Sequence, residues 1–337
     1  MMKRAITLVF VMTLMLSAKD YTKNPETVSF MNDLVQKSDF KRDELEKLFS
    51  NVEVQDSALR AFRPRAKTQK TPEQIAALKK RYPKYGAWDR YSKSKISDSR
   101  VQKGVDFIKK HQETFEKVEK KYAVPKEYIA AIIGIESAYG VNVGKYPVFD
   151  TLSTLAFEKN RRNKFFQKEL MKFIQLSRTE KFNPKNVYGS YAGAIGLGQF
   201  MPSNYEAYGV DFNGDGRITL QRAEDAIASI ANYIKLNGWR NGEPVATRVG
   251  YEGMRFKAYE TGYRKTYSRA QLKGIRPKVK WDYSGKVRLI KLNREKYDEL
   301  WYGAKNFFVI TRYNHSAYYA MSVHQLATKI AAKMKEE

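Results

Sequence analysis

The 337 residues carry 62 Lys and Arg against 36 Asp and Glu, a formal charge of +26, with three histidines and no cysteine. At 42% hydrophobic residues the chain can bury a sizeable core divided into two or three lobes. The missing thiols exclude disulfides, thiolate catalysis and thiolate metal sites. The charge points to an anionic partner (nucleic acid, acidic lipid or an acidic polymer of the cell envelope), the alternative being a solvated cationic surface with no dedicated partner.

The chain opens MMKRAITLVFVMTLMLSAKD. Lys3 and Arg4 precede an apolar stretch over residues 5–16 and then the small residues Ser17 and Ala18, the three-part layout of a secretory signal over residues 1–18. The stretch is short of the roughly 20 residues that cross a bilayer. Leu16 stands where a smaller residue is preferred for cleavage, so an uncleaved anchor is the alternative. Export sets nucleic acid aside as the physiological partner. Without cysteine the chain is not expected to be a lipoprotein. The expectation is a periplasmic, monomeric protein, soluble or held peripherally on the envelope by charge.

Residues 27–50 show helical periodicity in Val28, Met31, Leu34, Val35, Leu45 and Leu48. Residues 63–73 form a basic connector with Pro64 and Pro72, followed by helices over 75–81 and 101–122, the second turning Val105, Ile108 and Phe115 inward. Between them YGAWDRYSKSKIS sets Trp88 and Tyr91 in a turn-like stretch.

Residues 130–140, AAIIGIESAYG, are a nearly unbroken apolar run interrupted by one carboxylate, Glu136. Pro125 suits a first helical position, and Gly140 and Gly144 supply stops. Ile129, Ile132 and Ile133 lie seven, four and three residues before Glu136 and share its face. Desolvation there favours the neutral acid and raises its pKa, so that Glu136 could donate a proton near neutral pH. The alternative is a structural carboxylate that caps a helix or pairs with one of the many cations.

Further on, 150–157 and 165–176 read as helices, with Asp150 as N-cap of the first. Residues 189–215 are loop-rich, and 225–236 form an amphipathic helix ending at Asn237-Gly238. From 244 to 313 aromatics alternate with Lys and Arg, and strand-like runs appear in VRLIKL (287–292) and FFVITRY (307–313). Residues 316–335 return to helix, and no repeat is visible. The class is α+β: a mainly helical body with a smaller β-containing lobe. The segments are 19–85, N-terminal and helical; 86–243, the main body; 244–313, the β-containing lobe; and 314–337, a C-terminal helix packing back on the body.

The glycine-rich stretch GSYAGAIGLGQF contains neither phosphate-loop pattern, since Met201 stands where a third glycine is needed. Its small residues allow close backbone approach, and Ser190 and Gln199 could bond a hydroxyl- and amide-rich ligand. Next, DFNGDGRITLQR nearly matches an EF-hand loop, with Asp211, Asn213 and Asp215 at positions 1, 3 and 5 and Gly216 at position 6. Position 12 is Arg222 instead of a bidentate Glu. Either a weak Ca²⁺ or Na⁺ site, helped by the Arg217 carbonyl, or a metal-free turn fits this pattern. A second apolar-set carboxylate for sugar hydrolysis is absent, as are a G-x-S-x-G elbow and an H-E-x-x-H zinc site.

Taken together, IIGIESAYG, EKNRRNKFF, GSYAGAIGLGQFMPSNY with VDFNGDGRI, AIASIANYI and TRYNHSAYYAMSVHQLA resemble the lytic murein transglycosylase B family, in order, from about residue 86 to the C-terminus. The resemblance implies a lysozyme-like helical core that cleaves peptidoglycan glycan strands between MurNAc and GlcNAc. It implies Glu136 as the sole acid/base, with the muramoyl C6 hydroxyl closing a 1,6-anhydro ring. Arg161 and Arg162 match the family's arginine pair near the cleft. Ser190, Gln199, Phe200, Tyr233, Tyr313 and Asn314 match cleft-lining positions, as do Tyr91 and Tyr319. No cofactor is required. The rivals are a hydrolysing muramidase and a non-catalytic glycan-binding or scaffolding protein of the wall. For the aromatics a core role competes, and for the arginines a solvated or lobe-bridging one.

Overall fold

The computed structural model describes residues 18–64, 70–81, 84–253 and 255–337. The expected signal therefore lies outside the described residues except for Ala18.

Three cores organise the chain. The first joins α1 (Pro25–Lys37), α2 (Arg42–Phe49) and α3 (Asp56–Phe62) to the later helices α9 (Val148–Phe157) and α10 (Asn163–Thr179). Met31, Leu34, Leu45, Phe49, Phe149, Leu152, Phe166 and Phe173 are fully buried there. Asn24 starts α1 by accepting the N–H groups of Glu26 and Thr27 on its side-chain oxygen. The short antiparallel pair β1 (Ala18–Lys19) and β2 (Val52–Glu53), joined through α1 and α2, closes this unit. After it, α4 (Pro72–Arg81) buries none of its side chains.

The second and largest core surrounds α8 (Lys126–Ser137), which packs against α6 (Asp98–Lys110), α7 (Gln112–Tyr122), α12 (Ala223–Leu236) and α14 (Ala317–Glu336). Ile129, Ala130, Ala131, Ile132 and Ile133 have no exposed surface, so α8 is buried nearly all round. α5 (Ala87–Ser92) lies at the edge of this body, and α11 (Pro202–Tyr208) follows the glycine-rich loop, whose start pairs as β4 (Tyr188–Gly189) with β3 (Tyr146–Pro147).

The third core belongs to a four-stranded antiparallel sheet of β5 (Ala246–Tyr251), β6 (Ile275–Pro277), β7 (Arg288–Asn293) and β8 (Asp298–Gly303), ordered β6-β5-β8-β7. β7 and β8 form a hairpin registered from Arg288↔Gly303 to Asn293↔Asp298. One face packs Val249, Leu289, Leu300 and Tyr302 into the lobe's own core. Ile290 and Leu292, on the alternate face of β7, join the helical body. The edge strand β7 carries α5, because the Gly86 N–H bonds the Arg294 carbonyl (3.1 Å) and the Ala87 N–H the Asn293 side chain (3.2 Å).

Four local expectations are corrected. FFVITRY is a helix, α13 (Lys305–Tyr313). Its β-branched and aromatic composition suits a strand, but Phe307, Ile310 and Thr311 lie at helical spacing and all three are fully buried. Packing overrides the propensity. The expected helix over 101–122 is two helices broken at His111, whose φ of −116° and ψ of 32° ends α6 and starts α7. Asp150 does not cap a helix; it sits inside the first turn of α9, buried and paired with Lys185 at 2.8 Å. The Trp88–Tyr91 stretch is helical, not a turn.

Candidate active site

The end of α8 sets the geometry. It stops at Ser137, before either glycine expected to end it, because Ala138 and Tyr139 adopt left-handed φ values of 52° and 60°. Such conformations are uncommon for residues with a Cβ. Ser137 holds the turn: its hydroxyl donates to the Ile133 carbonyl (3.2 Å) and accepts the Gly140 N–H (3.1 Å). The turn folds Tyr139 back over the helix, where its hydroxyl donates to the Arg100 carbonyl (3.1 Å). A Cβ at Gly134 would lie 2.5 Å from that hydroxyl, so any side chain there would have to displace Tyr139. The Arg100 guanidinium in turn donates to the Gly134 carbonyl.

Glu136, one turn from Gly140, is half-buried: crowded by protein on most sides but still open to solvent. The Tyr319 hydroxyl of α14 donates to its Oε1 at 2.7 Å. No other hydrogen bond and no ion pair reaches the carboxylate among the described residues. Burial pushes its pKa up to about 7, against the opposing pull of the Tyr319 hydrogen bond and the Lys95 charge. A group poised there can both give and take a proton near neutrality.

Tyrosines extend the site. Tyr319 is 2% exposed and stacks on Tyr313, with ring centroids 6.3 Å apart and planes 9° from parallel. Tyr313, at the end of α13, donates its hydroxyl to the Gly198 carbonyl. A Cβ on Gly198 would lie 2.8 Å from that hydroxyl, which ties the glycine-rich loop to the tyrosine wall. Behind Tyr313 stand Tyr233 (4.9 Å) and Phe200 (5.8 Å). At 6% and 2% exposure these two support the wall and present little surface to a ligand. On the other side Tyr91 packs against Trp88 (6.2 Å) and Tyr318 (5.6 Å), with the Lys95 ammonium 4.8 Å from its ring centre. Desolvation, and then the Glu136 charge, raise the pKa of the Tyr91 hydroxyl.

The loop residues are held as positioning groups. Gln199 has a left-handed φ of 51°, and its side-chain N–H groups bond the Val143 and Gly196 carbonyls, both at 2.9 Å. Ser190 accepts the N–H groups of Ala192 (3.3 Å) and Ala194 (3.0 Å) on its hydroxyl. Asn314 is exposed at the C-cap of α13. The arginine pair makes its contacts elsewhere. The Arg161 guanidinium bonds the Phe62 and Ala61 carbonyls at 3.3 Å each, fastening the end of α3, and Arg162 stacks 3.9 Å over Phe165. The structure thus gathers Glu136, Tyr319, Tyr313 and Tyr91, sets Ser190, Gln199, Phe200 and Tyr233 around the loop behind them, and gives both arginines partners in the N-terminal core. Sequence reasoning missed Lys95, Arg100 and Tyr318.

The EF-hand-like loop closes on itself. Asp211 accepts the Gly214 and Gly216 N–H groups (2.8 and 2.9 Å), and Asn213 accepts that of Asp215 (3.0 Å). Asp215 accepts the Arg217 N–H (3.0 Å) on one oxygen and the Arg222 guanidinium on the other. Asp225, fully buried, gathers the N–H groups of Thr219 (2.7 Å), Phe212 (2.9 Å) and Asn213 (3.5 Å) from beneath. Among the described residues no cluster of three His, Asp or Glu is arranged to hold a metal. Asp211, Asn213 and Asp215 form a donor set without the bidentate carboxylate of a tight calcium loop, so it offers at most weak ion binding.

The chain as a whole matches known proteins. The family described as "Transglycosylase SLT domain" matches residues 22–328. The chain is 38% identical over 314 residues to the membrane-bound lytic murein transglycosylase B of Escherichia coli (strain K12), covering 93% of this chain and 84% of that protein. Among solved structures it superposes on the E. coli lytic transglycosylase Slt35 in complex with calcium with a TM-score of 0.83 and 36% identity, over 97% of this chain and 99% of that one. It also superposes on SltB3 from Pseudomonas aeruginosa in complex with NAG-anhNAM-pentapeptide, with a TM-score of 0.76 and 26% identity, over 90% and 78%.

Proposed function

The chain belongs to the transglycosylase SLT domain family and is a lytic murein transglycosylase with a lysozyme-like fold, and on that premise we propose that Glu136 alone carries both proton transfers of the reaction. The observation that carries this reading is a half-open carboxyl in apolar surroundings with a single tyrosine donor, where burial pushes its pKa up to about 7.

Protonated Glu136 gives its proton to the glycosidic oxygen between MurNAc and GlcNAc as the C1–O bond breaks. The resulting carboxylate takes the proton of the muramoyl C6 hydroxyl, whose oxygen bonds to C1 and closes the 1,6-anhydro ring. Glu136 ends protonated, ready for the next cycle. One acid suffices because the nucleophile is part of the substrate and no water has to be activated, whereas glycoside hydrolysis generally uses two carboxylates. No cofactor enters the chemistry. Tyr319 fixes Oε1 and leaves Oε2 as the proton-carrying oxygen. Tyr91 and Tyr313 flank the position of the reacting sugar, with Ser190, Gln199 and Asn314 at the rim and Phe200 and Tyr233 as backing. Arg161, through its contacts with the end of α3, and Arg162, through its stacking on Phe165 of α10, shape the far end of the binding region. The enzyme works in the periplasm on peptidoglycan strands, delivered by the signal over residues 1–18. No helix among the described residues is long and apolar enough to cross a membrane.

Mass spectrometry of sacculi digested by the parent enzyme and by Glu136→Gln tests the scheme. Anhydro ends, one water lighter than hydrolysed ends, are expected from the parent, and no digestion from the variant at unchanged sacculus binding. Hydrated ends, or full digestion by Glu136→Gln, would remove the assignment.

A further inference from the structure

We propose that the outer edge of the four-stranded sheet is a docking surface for an anionic phospholipid membrane. Between residues 264 and 291 the sequence places ten Lys and Arg against a single acid, Asp282. Nine of the ten side chains are exposed; Arg288 is the buried one, its guanidinium donating to the Tyr263 carbonyl. Two of the nine have an acidic neighbour, Lys280 with Asp282 and Lys291 with Asp298, each at 3.7 Å. Arg264, Lys265, Arg269, Lys273, Arg276, Lys278 and Lys286 have none among the described residues. Such a concentration of one sign repels itself and is relieved by an anionic surface.

Five of these cations share one place: Arg269, Lys273, Arg276, Lys278 and Lys280 line one open concavity of about 880 Å³ at β6 and the chain on either side of it. The scaffold is rigid: Val249 pairs with Pro277, the Lys278 N–H bonds the Arg248 carbonyl (3.0 Å), and the Tyr302 hydroxyl bonds the Ile275 carbonyl (2.7 Å). Val279 protrudes between Lys278 and Lys280 with 67% of its surface exposed. Trp281 stands beside it against Tyr283 (5.1 Å), its indole N–H buried without a partner.

Charge and the protruding valine together select the partner. Lysines and arginines near an anionic leaflet each add attraction to its headgroups, and an aliphatic side chain between them has somewhere to go only if the surface offers an apolar phase beneath the phosphates. A glycan strand with acidic peptides would satisfy the cations but not Val279. Position also separates this surface from catalysis. β7 is the edge that carries α5 and Tyr91, while β6 is the opposite edge with two strands between them. Bound through β6, the enzyme would lie on the membrane with its glycan-cutting side on the far edge of the lobe.

Cosedimentation of the full chain with vesicles tests this. Binding is expected to phosphatidylglycerol-containing vesicles, not to pure phosphatidylcholine, and to fade as salt shortens the Debye length to a few ångströms. Reversing Lys273, Arg276, Lys278 and Lys280 to Glu should weaken it about hundredfold or more. The same number of reversals at Lys79, Lys80, Lys103 and Lys110 should weaken it only a few-fold, and Val279→Asp should reduce it on its own. Cleavage of soluble muropeptides should stay unchanged in the β6 variant, which also reports that it is folded. If that variant does not fold, quenching of parent tryptophan fluorescence by brominated phosphatidylglycerol, lost in Trp281→Phe, carries the test instead. Equal binding to neutral vesicles, equal losses in the two quadruple variants, or a loss of sacculus binding with vesicle binding intact would each overturn the proposal.

Discussion

Two carboxylates on neighbouring helices of the same body are withdrawn from water, and they are treated in opposite ways. Asp225, in the first turn of α12, is fully buried and collects three backbone N–H groups from the loop it anchors. Glu136, at the end of α8, has one phenol for company and an opening to solvent. A fully bonded carboxylate is a fixture of the fold, whereas one left with a single donor in apolar surroundings has a proton to trade. At Glu136 burial raises the proton affinity and a single donor offsets it only in part.

The contrast can be broken first at Glu136. Glu136→Gln should lower sacculus turnover by about a thousandfold or more, read as release of soluble muropeptides. The same variant should gain stability near neutral pH. The folded protein holds the Glu136 proton up to about pH 7, while the unfolded chain releases it near 4.5, so parent stability falls as pH rises through that window. At pH 8 the variant should be more stable by about 1–3 kcal/mol, and the gap should close below pH 4. A higher melting temperature for the parent at pH 8 would contradict this sign. Asp225→Ala should do the reverse: on the order of 3–5 kcal/mol of stability lost, because three N–H groups are stranded, with residual activity tracking the folded fraction in denaturant titrations.

Smaller effects sharpen the comparison. Tyr319→Phe removes the donor that favours ionised Glu136, so the decline of activity with rising pH should move to higher pH, and kcat should fall about 10- to 100-fold. An unchanged pH profile would mean that the hydroxyl does not touch the working oxygen. Arg222→Glu restores an acid at the twelfth position of the 211–222 loop. It should raise the melting temperature in millimolar calcium relative to chelator, an effect of about 1–2 kcal/mol that the parent should show weakly or not at all.

The sequence carried the first half of this picture better than the second. Helix α8 and its lone acid were legible because apolar spacing and a single Glu act locally. Tyr319 sits 183 residues further along the chain, and only the family resemblance singled it out. No periodicity argument links two helices so distant in sequence. The α13 segment was misread because Phe, Val, Ile and Thr favour strands in isolation, yet they also fill a helix face when a core awaits it. Lys95 and Arg100 escaped notice because a cation among 62 carries no mark of its own. The Asp215–Arg222 contact follows from an anomaly the sequence displayed openly, but only coordinates show the guanidinium turned onto the loop.

The two borders of the sheet have a further consequence. β7 is sheltered under α5, but β6 faces outward and could serve as a template for a strand from another molecule. It is three residues long, ends in Pro277, which has no N–H to offer, and is flanked by lysines. A polypeptide crowded beside copies of itself in a narrow compartment would find no ladder to extend there. The same charges that draw the lobe toward an acidic sheet of lipid would keep its siblings from fusing with it edge to edge.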